Sequence, residues 1–204
     1  MNKIVGLGLI VALVVGVFLY INRKQPVTNY PSKGSTIVAF GDSLTSGVGA
    51  SGPDANYVSI LSQKLSTPII NEGVSGDTSA DALARVQDVI DHNPKIVIVV
   101  IGGNDALQHI PQAETFKNIE QIIVKLQGAG AIVVLGGIQG GIFTDVYKSD
   151  FKRLSDTYHT AYVPNVLTGI INKPQYMSDS VHPNDVGYVV MADRFYPIVK
   201  ELMH

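Results

Sequence analysis

The 204-residue chain contains no cysteine. That absence excludes disulfide bonds, thiolate zinc sites and a cysteine nucleophile together. It leaves the compartment open, because an exported protein can also do without cysteine. Charge is scarce as well: Asp, Glu, Lys and Arg make up 16% of the residues, against roughly 25% in an average globular domain. There is no cationic excess. Residues 1–24 hold Lys3, Arg23 and Lys24, so the remainder carries 12 basic against 17 acidic side chains, a net charge of −5. A nucleic-acid-binding surface or a polybasic membrane-binding face is therefore disfavoured. No internal repeat or low-complexity tract interrupts the chain, and its length suits one domain with a substantial core.

Part of the low charge is local. Ile4 to Ile21, "IVGLGLIVALVVGVFLYI", is a run of 18 uncharged, mostly apolar residues; as a helix it would span about 27 Å. A cleavable secretory signal has an apolar stretch of about 7–15 residues and then a small-x-small site. This stretch is longer, and the following "NRKQPVTNYP" offers no such site. An uncleaved membrane anchor through residues 4–21 is the favoured reading, with a cleaved signal as the alternative. A buried core helix is disfavoured, since nothing polar marks a solvent face. The expected location is outside the cytoplasm, membrane-held at the periplasmic face or cell surface, or secreted if cleavage occurs. Orientation has little support in the flanking charges, which nearly balance. The expected organisation is an anchor or signal segment over 1–24, a polar linker with two prolines over 25–35, and one domain over 36–204.

From Thr36 onward, apolar runs alternate with amphipathic stretches. Strands are expected near 36–40, 68–73, 95–103, 131–137 and, weakly, 160–163. Helices are expected near 56–66, 78–91, 115–128, 145–158 and 185–203. Phe116, Ile119, Ile122, Ile123 and Leu126 fall on one helical face. Runs such as "IVIVVI" are apolar on both faces, which calls for helices on both sides of the sheet. The pattern predicts a three-layer α/β domain with a parallel sheet. In such sheets ligands gather at the carboxyl ends of the strands, where Ser43 and the Gly102-Gly103-Asn104 stretch would lie.

Ser43, in "IVAFGDSLTSG", follows the first strand; alone, it is more readily explained as a helix cap. "MSDSVHP" places Asp179 three residues before His182. A serine hydroxyl is a poor nucleophile unless a neutral imidazole takes its proton, and the imidazole needs an acceptor to fix its tautomer. Ser43, Asp179 and His182 could meet those needs, or His182 could be a surface histidine at a capped turn. An acyl-transfer site also needs oxyanion donors. The N–H of Gly76 in "GVSGDTS" and the amide of Asn104 in "GGNDAL" are candidates, though both segments also read as ordinary turns or helix starts.

Taken together, these blocks resemble the SGNH (GDSL) hydrolase superfamily, named for a Ser, Gly, Asn and His in four separated segments. "FGDSLTSG" matches the first block, with Ser43 as nucleophile. "GVSGDTS" matches the second, with Gly76 as an oxyanion donor, and "GGND" the third, with Asn104 as another. "DSVHP" matches the last, giving Asp179 and His182. The blocks occur in family order and span essentially all of 36–203. The sequence is most similar to the bacterial multifunctional thioesterase/lysophospholipase/arylesterase group, above all in "VSGDTSADALARV". The resemblance implies a flavodoxin-like α/β/α sandwich of five parallel strands ordered 2-1-3-4-5. It also implies a Ser43-His182-Asp179 triad, with the N–H of Ser43 joining Gly76 and Asn104 in the oxyanion hole. Neither a metal nor an organic cofactor is implied.

The implied substrate is a small acyl ester or a lipid, with short-to-medium acyl chains and carboxylic esters or thioesters favoured. An O-acetyl esterase acting on envelope glycans is the alternative. A non-catalytic binding module on the same fold would lack a member of the Ser-Asp-His set, and none is missing. Ile138, Ile142 and Phe143, after the fourth strand, could form a substrate wall or pack as an ordinary loop. Asp42 and Asp105 read as carboxylates that hold loops, and Asp77 as the cap of the helix at 78. Glu72 and His92 read as solvent-facing.

Overall fold

The computed structural model describes residues 26–139 and 146–204. The expected anchor or signal over 1–24 lies outside these residues, as do Ile142 and Phe143. Among the described residues no helix is long and apolar enough to cross a membrane.

Five strands form: β1 (Thr36–Gly41), β2 (Ile69–Gly73), β3 (Pro94–Val100), β4 (Ile132–Gly136) and β5 (Ala161–Val163). All pair in parallel, in the order β2-β1-β3-β4-β5. Every residue of β4 is buried, and every residue of β3 except Lys95. The continuous apolar runs are thus the doubly covered centre of the sheet. The helices are α1 (Ser43–Ser46), α2 (Tyr57–Leu65), α3 (Ser79–Ala84), α4 (Val86–Asp91), α5 (Gly103–Leu107), α6 (Gln112–Gly128), α7 (Val146–Tyr158) and α8 (Asp185–Leu202). A 3-10 turn spans Pro174–Tyr176. One helix group is α2 against α8; the other gathers α3, α4, α5 and α7 around α6. The stripe from Phe116 to Leu126 is the buried face of α6.

The strand order reverses between β1 and β3. The chain leaves β1 toward β2 on one side, then crosses to β3 on the other. A crevice opens at the carboxyl ends of strands at such a switch point, and here it lies between the residues after Gly41 and those after Val100.

Three local expectations needed correction. The helix expected over 78–91 breaks at Arg85, whose φ of −109° separates α3 from α4. Thr78, not Asp77, caps α3: its side chain accepts from the Asp81 N–H while the Asp81 carboxylate accepts from the Thr78 N–H. The strand expected to reach 103 ends at Val100, and Gly102 turns the chain at φ +112° into α5, a conformation costly for any residue with a Cβ.

Residues 26–35, expected as a polar linker, run along the amino-terminal edge of the sheet. The Thr28 N–H donates to the His159 carbonyl just before β5. The Asn29 amide donates to the carbonyls of Gln127 and Ala131, before β4. The Ser35 N–H donates to the Asn93 carbonyl before β3.

Candidate active site

Ser43 is the first residue of the four-residue α1. Asp42 caps this turn by accepting the Leu44 N–H at 3.0 Å, and Gly47, in the left-handed region, closes it by donating to the Ser43 carbonyl at 3.0 Å. Gly41 is required by packing. A Cβ there would stand 2.1 Å from the Val100 carbonyl oxygen and 2.5 Å from Thr45 Oγ1. Only glycine lets β1 run that close to β3 before the chain turns.

His182 lies in the loop between the 3-10 turn and α8. That loop is folded on itself: the Ser178 N–H donates to the His182 carbonyl, and the Asn184 N–H to the Tyr176 carbonyl, each at 2.9 Å. Asp179 Oδ1 accepts the N–H groups of Val181 and His182, both at 2.8 Å. Its other oxygen lies 2.7 Å from His182 Nδ1. A carboxylate can only accept, so Nδ1 carries the proton and donates, which leaves Nε2 of the neutral ring as an acceptor. Nε2 is 3.0 Å from Ser43 Oγ and accepts a hydrogen bond from its hydroxyl. Partial burial pushes the Asp179 carboxyl up. The bonds from the His182 ring and from the Val181 and His182 N–H groups outweigh that and hold it below the usual carboxylate range.

Asn104 stands in α5, across the switch point from Ser43. Its side-chain amide donates one N–H to the Asp77 carbonyl at 2.9 Å; the other has no protein partner among the described residues. Ser43, Asn104 and His182 line one cleft, together with Leu44, Leu107 and Val181, and its described walls enclose about 50 Å³. Larger hollows, such as one beside Lys148 and Arg153 and another beside Lys173, contain no comparable hydroxyl–imidazole pair. Gly76 does not line the cleft itself. It lies in an exposed turn at φ +92°, one residue from the carbonyl that holds Asn104. Ile138 forms no open wall, because its side chain has no exposed surface and belongs to the core.

The surrounding carboxylates are buried and bonded. Asp105 is fully buried and accepts both the N–H and the hydroxyl of Ser79, at 2.8 and 2.5 Å. It thereby ties α5 to the start of α3. Asp42 is 2% exposed. Burial pushes its carboxyl up to about 7, with the charges of Asp105 and Asp77 adding to the rise and the Leu44 N–H opposing it.

Several contacts escaped the sequence. Glu72 and His92, expected to face solvent, pair with each other at 2.8 Å. Asp77 holds the guanidinium of Arg85 at 2.6 Å. Asp185 accepts the N–H and the hydroxyl of Ser51, at 2.7 and 2.6 Å, and the Tyr188 hydroxyl donates to the Val48 carbonyl at 2.7 Å. Those last two contacts clip the loop after α1 to the start of α8, beside His182. The only sequence signal for the clip was the glycine pair at 47 and 49, which reads as a tight turn. Among the described residues no group of three or more histidine and carboxylate side chains could hold a metal ion.

The model of the GDSL-like lipase/acylhydrolase family matches residues 39–190. Thioesterase 1/protease 1/lysophospholipase L1 of Escherichia coli K12 is 29% identical over 167 residues, covering 78% of this chain and 80% of that protein. The crystal structure of TesA superposes with a TM-score of 0.77 at 27% identity, over 82% of this chain and 99% of the other. The psychrotrophic esterase EstA from Pseudoalteromonas sp., inhibited by monoethylphosphonate, superposes with a TM-score of 0.74 at 26% identity, over 82% and 98% of the two chains.

Proposed function

The chain belongs to the GDSL-like lipase/acylhydrolase family and is a serine ester hydrolase; from that premise we propose that Ser43, His182 and Asp179 are its catalytic triad. The substrates in this reading are carboxylic esters or thioesters of short-to-medium acyl chains. One observation carries it. Across 139 positions of sequence, His182 Nε2 stands 3.0 Å from Ser43 Oγ while Nδ1 is held 2.7 Å from Asp179.

The reaction follows from that tautomer. Ser43 Oγ attacks the acyl carbon as its proton passes to Nε2, and the Asp179 carboxylate stabilises the imidazolium that forms. The carbonyl oxygen gains charge and is met by the Ser43 N–H and the unpartnered N–H of Asn104; the Gly76 N–H, in the exposed turn next to the carbonyl that holds Asn104, reaches it from the edge of the cleft. Such fixed donors are often the largest single contribution to acyl transfer. Nε2 then returns the proton to the leaving oxygen or sulfur, giving a Ser43 acyl ester. A water molecule attacks that ester with His182 again as base, releasing the acid and restoring the hydroxyl.

The substrate class draws support from the relatives, one of which is named as a thioesterase and lysophospholipase. The 50 Å³ enclosed by the described walls admits a carbonyl and a few carbons, far short of the roughly 300 Å³ at which drug-sized pockets begin. That smallness also favours the second reading, an O-acetyl esterase of envelope glycans. The full-length chain assayed on p-nitrophenyl acetate, butyrate and octanoate, on an acetylated glycan and on a lysophospholipid separates them. Short acyl esters should be cleaved fastest, and Ser43→Ala should abolish the activity. Wild type and Ser43→Ala releasing product equally slowly would remove the triad. In this reading residues 4–21 hold the domain to a membrane, outside the cytoplasm.

A further inference from the structure

Arg85 is the residue at which the expected helix breaks, ending α3 and opening α4. Its side chain is only 18% exposed, and its guanidinium is engaged on several sides. Nε donates to Asp77 Oδ2 at 2.6 Å, and Nη2 donates to the Gly41 carbonyl at 3.0 Å. The group lies 4.6 Å from the centre of the Phe40 ring. Nη1, buried and without a hydrogen-bond partner, lies 3.7 Å from Glu72 Oε2. Glu72 is itself paired with His92.

Two of these contacts adjoin the reacting groups. Gly41 ends β1, two residues before Ser43. Asp77 follows Gly76, and its carbonyl holds the Asn104 amide. One cation therefore joins the strand that carries the nucleophile to the loop that carries one oxyanion donor and orients the other. We infer that Arg85 is a positioning residue for the reaction, setting the distance from Ser43 to the Gly76–Asp77 loop and, through that loop, the aim of the Asn104 amide.

This inference rests on the hydrolase reading above and deepens it. Oxyanion donors act because they are fixed before charge develops. An arginine can brace two acceptors at once with a rigid fork, whereas a lysine is a single point charge on a flexible stem. Without the guanidinium, the largely buried Asp77 carboxylate loses its cation and must reach for water, which draws its loop away from Gly41.

The experiment compares full-length wild type, Arg85→Met, Arg85→Lys and Asp77→Asn on p-nitrophenyl butyrate, below the unfolding temperature of each. It also measures the rate at which an ethyl p-nitrophenyl alkylphosphonate labels each protein, p-nitrophenolate leaving as the serine–phosphorus bond forms, because that adduct needs the same oxyanion donors. Arg85→Met should lose roughly 10- to 100-fold in kcat with KM changed by no more than about twofold, as expected for groups displaced by a fraction of an ångström to one ångström. Phosphonylation should slow in the same proportion, with Arg85→Lys and Asp77→Asn intermediate. Arg153→Met, which loses an exposed pair with Asp150, should keep the wild-type kcat. Melting points lowered with kcat and phosphonylation unchanged would make Arg85 purely structural and overturn the inference; a rise in KM alone would overturn it too. If Arg85→Met fails to fold, Arg85→Lys and Asp77→Asn decide by the same criteria. An active wild type with unaffected variants sinks only the role of Arg85, whereas an inactive wild type sinks the hydrolase reading itself.

Discussion

Asp42 has the most consequential environment of any single residue beside the site. It immediately precedes Ser43, is 2% exposed, and its carboxyl is pushed up to about 7 by burial. A group whose folded pKa lies above its unfolded value stabilises the fold fully below the unfolded value, near 4. That contribution is lost as pH rises through the folded value. The window therefore runs from about pH 4 to pH 7. In Asp42→Asn the Leu44 N–H keeps an acceptor and the titration disappears. Between pH 5 and pH 8 the wild-type melting temperature should fall by roughly 5–10 °C more than that of Asp42→Asn. Parallel melting curves for the two proteins across that range would remove the burial argument. Much at this scale was legible in the sequence, because Ser43, Asn104, Asp179 and His182, the residues on which the proposal rests, fall in short recognisable blocks. Residues that support those blocks from a distance were not. Arg85 meets Gly41 across 44 positions, and no local pattern announces such a contact.

Among the elements, the long amphipathic helices and apolar strands were readable from periodicity, and the one-turn helices were not. At four and five residues, α1 and α5 are too short to show a repeat, yet they carry Ser43 and Asn104. The loop after α1 matters equally. Gly49 stands at φ +90°, and a Cβ there would lie 2.5 Å from the Pro183 carbonyl oxygen and 3.2 Å from His182 Cβ. Gly49→Ala should push the His182 loop off the nucleophile and lower kcat by roughly 10- to 100-fold, with a smaller effect on KM. Steady-state kinetics with p-nitrophenyl butyrate check this, and a wild-type kcat would show that the two loops are not in working contact.

At the scale of the whole molecule, the segment expected as a polar linker is bonded to the domain from Thr28 to Ser35. It crosses the amino ends of the strands, whereas Ser43 and His182 stand beyond the carboxyl ends, roughly 20 Å away along a six-residue strand. Composition alone could not show this, because a polar, proline-containing stretch reads the same whether it docks or not. If residues 4–21 are held in a bilayer, the four residues 22–25 can span at most about 14 Å, and the cleft faces away from that surface. Carbonate extraction should leave the full chain with the membrane. Reconstituted in vesicles, it should cleave p-nitrophenyl butyrate readily and an ester lipid of its own bilayer poorly, and twenty Gly/Ser residues inserted after Gln25 should raise only the second rate. Equal lipid hydrolysis with and without the insertion would contradict this orientation.

The most direct measurement of the catalytic claim is the site of covalent capture. The full-length chain is treated with an ethyl p-nitrophenyl alkylphosphonate, which loses p-nitrophenolate on capture, then digested and mapped by mass spectrometry, with His182→Ala treated alongside. The adduct should fall on Ser43 alone and form far more slowly in the variant. An adduct on another residue, or equal labelling of both proteins, would contradict the assignment of Ser43 as a nucleophile activated by His182.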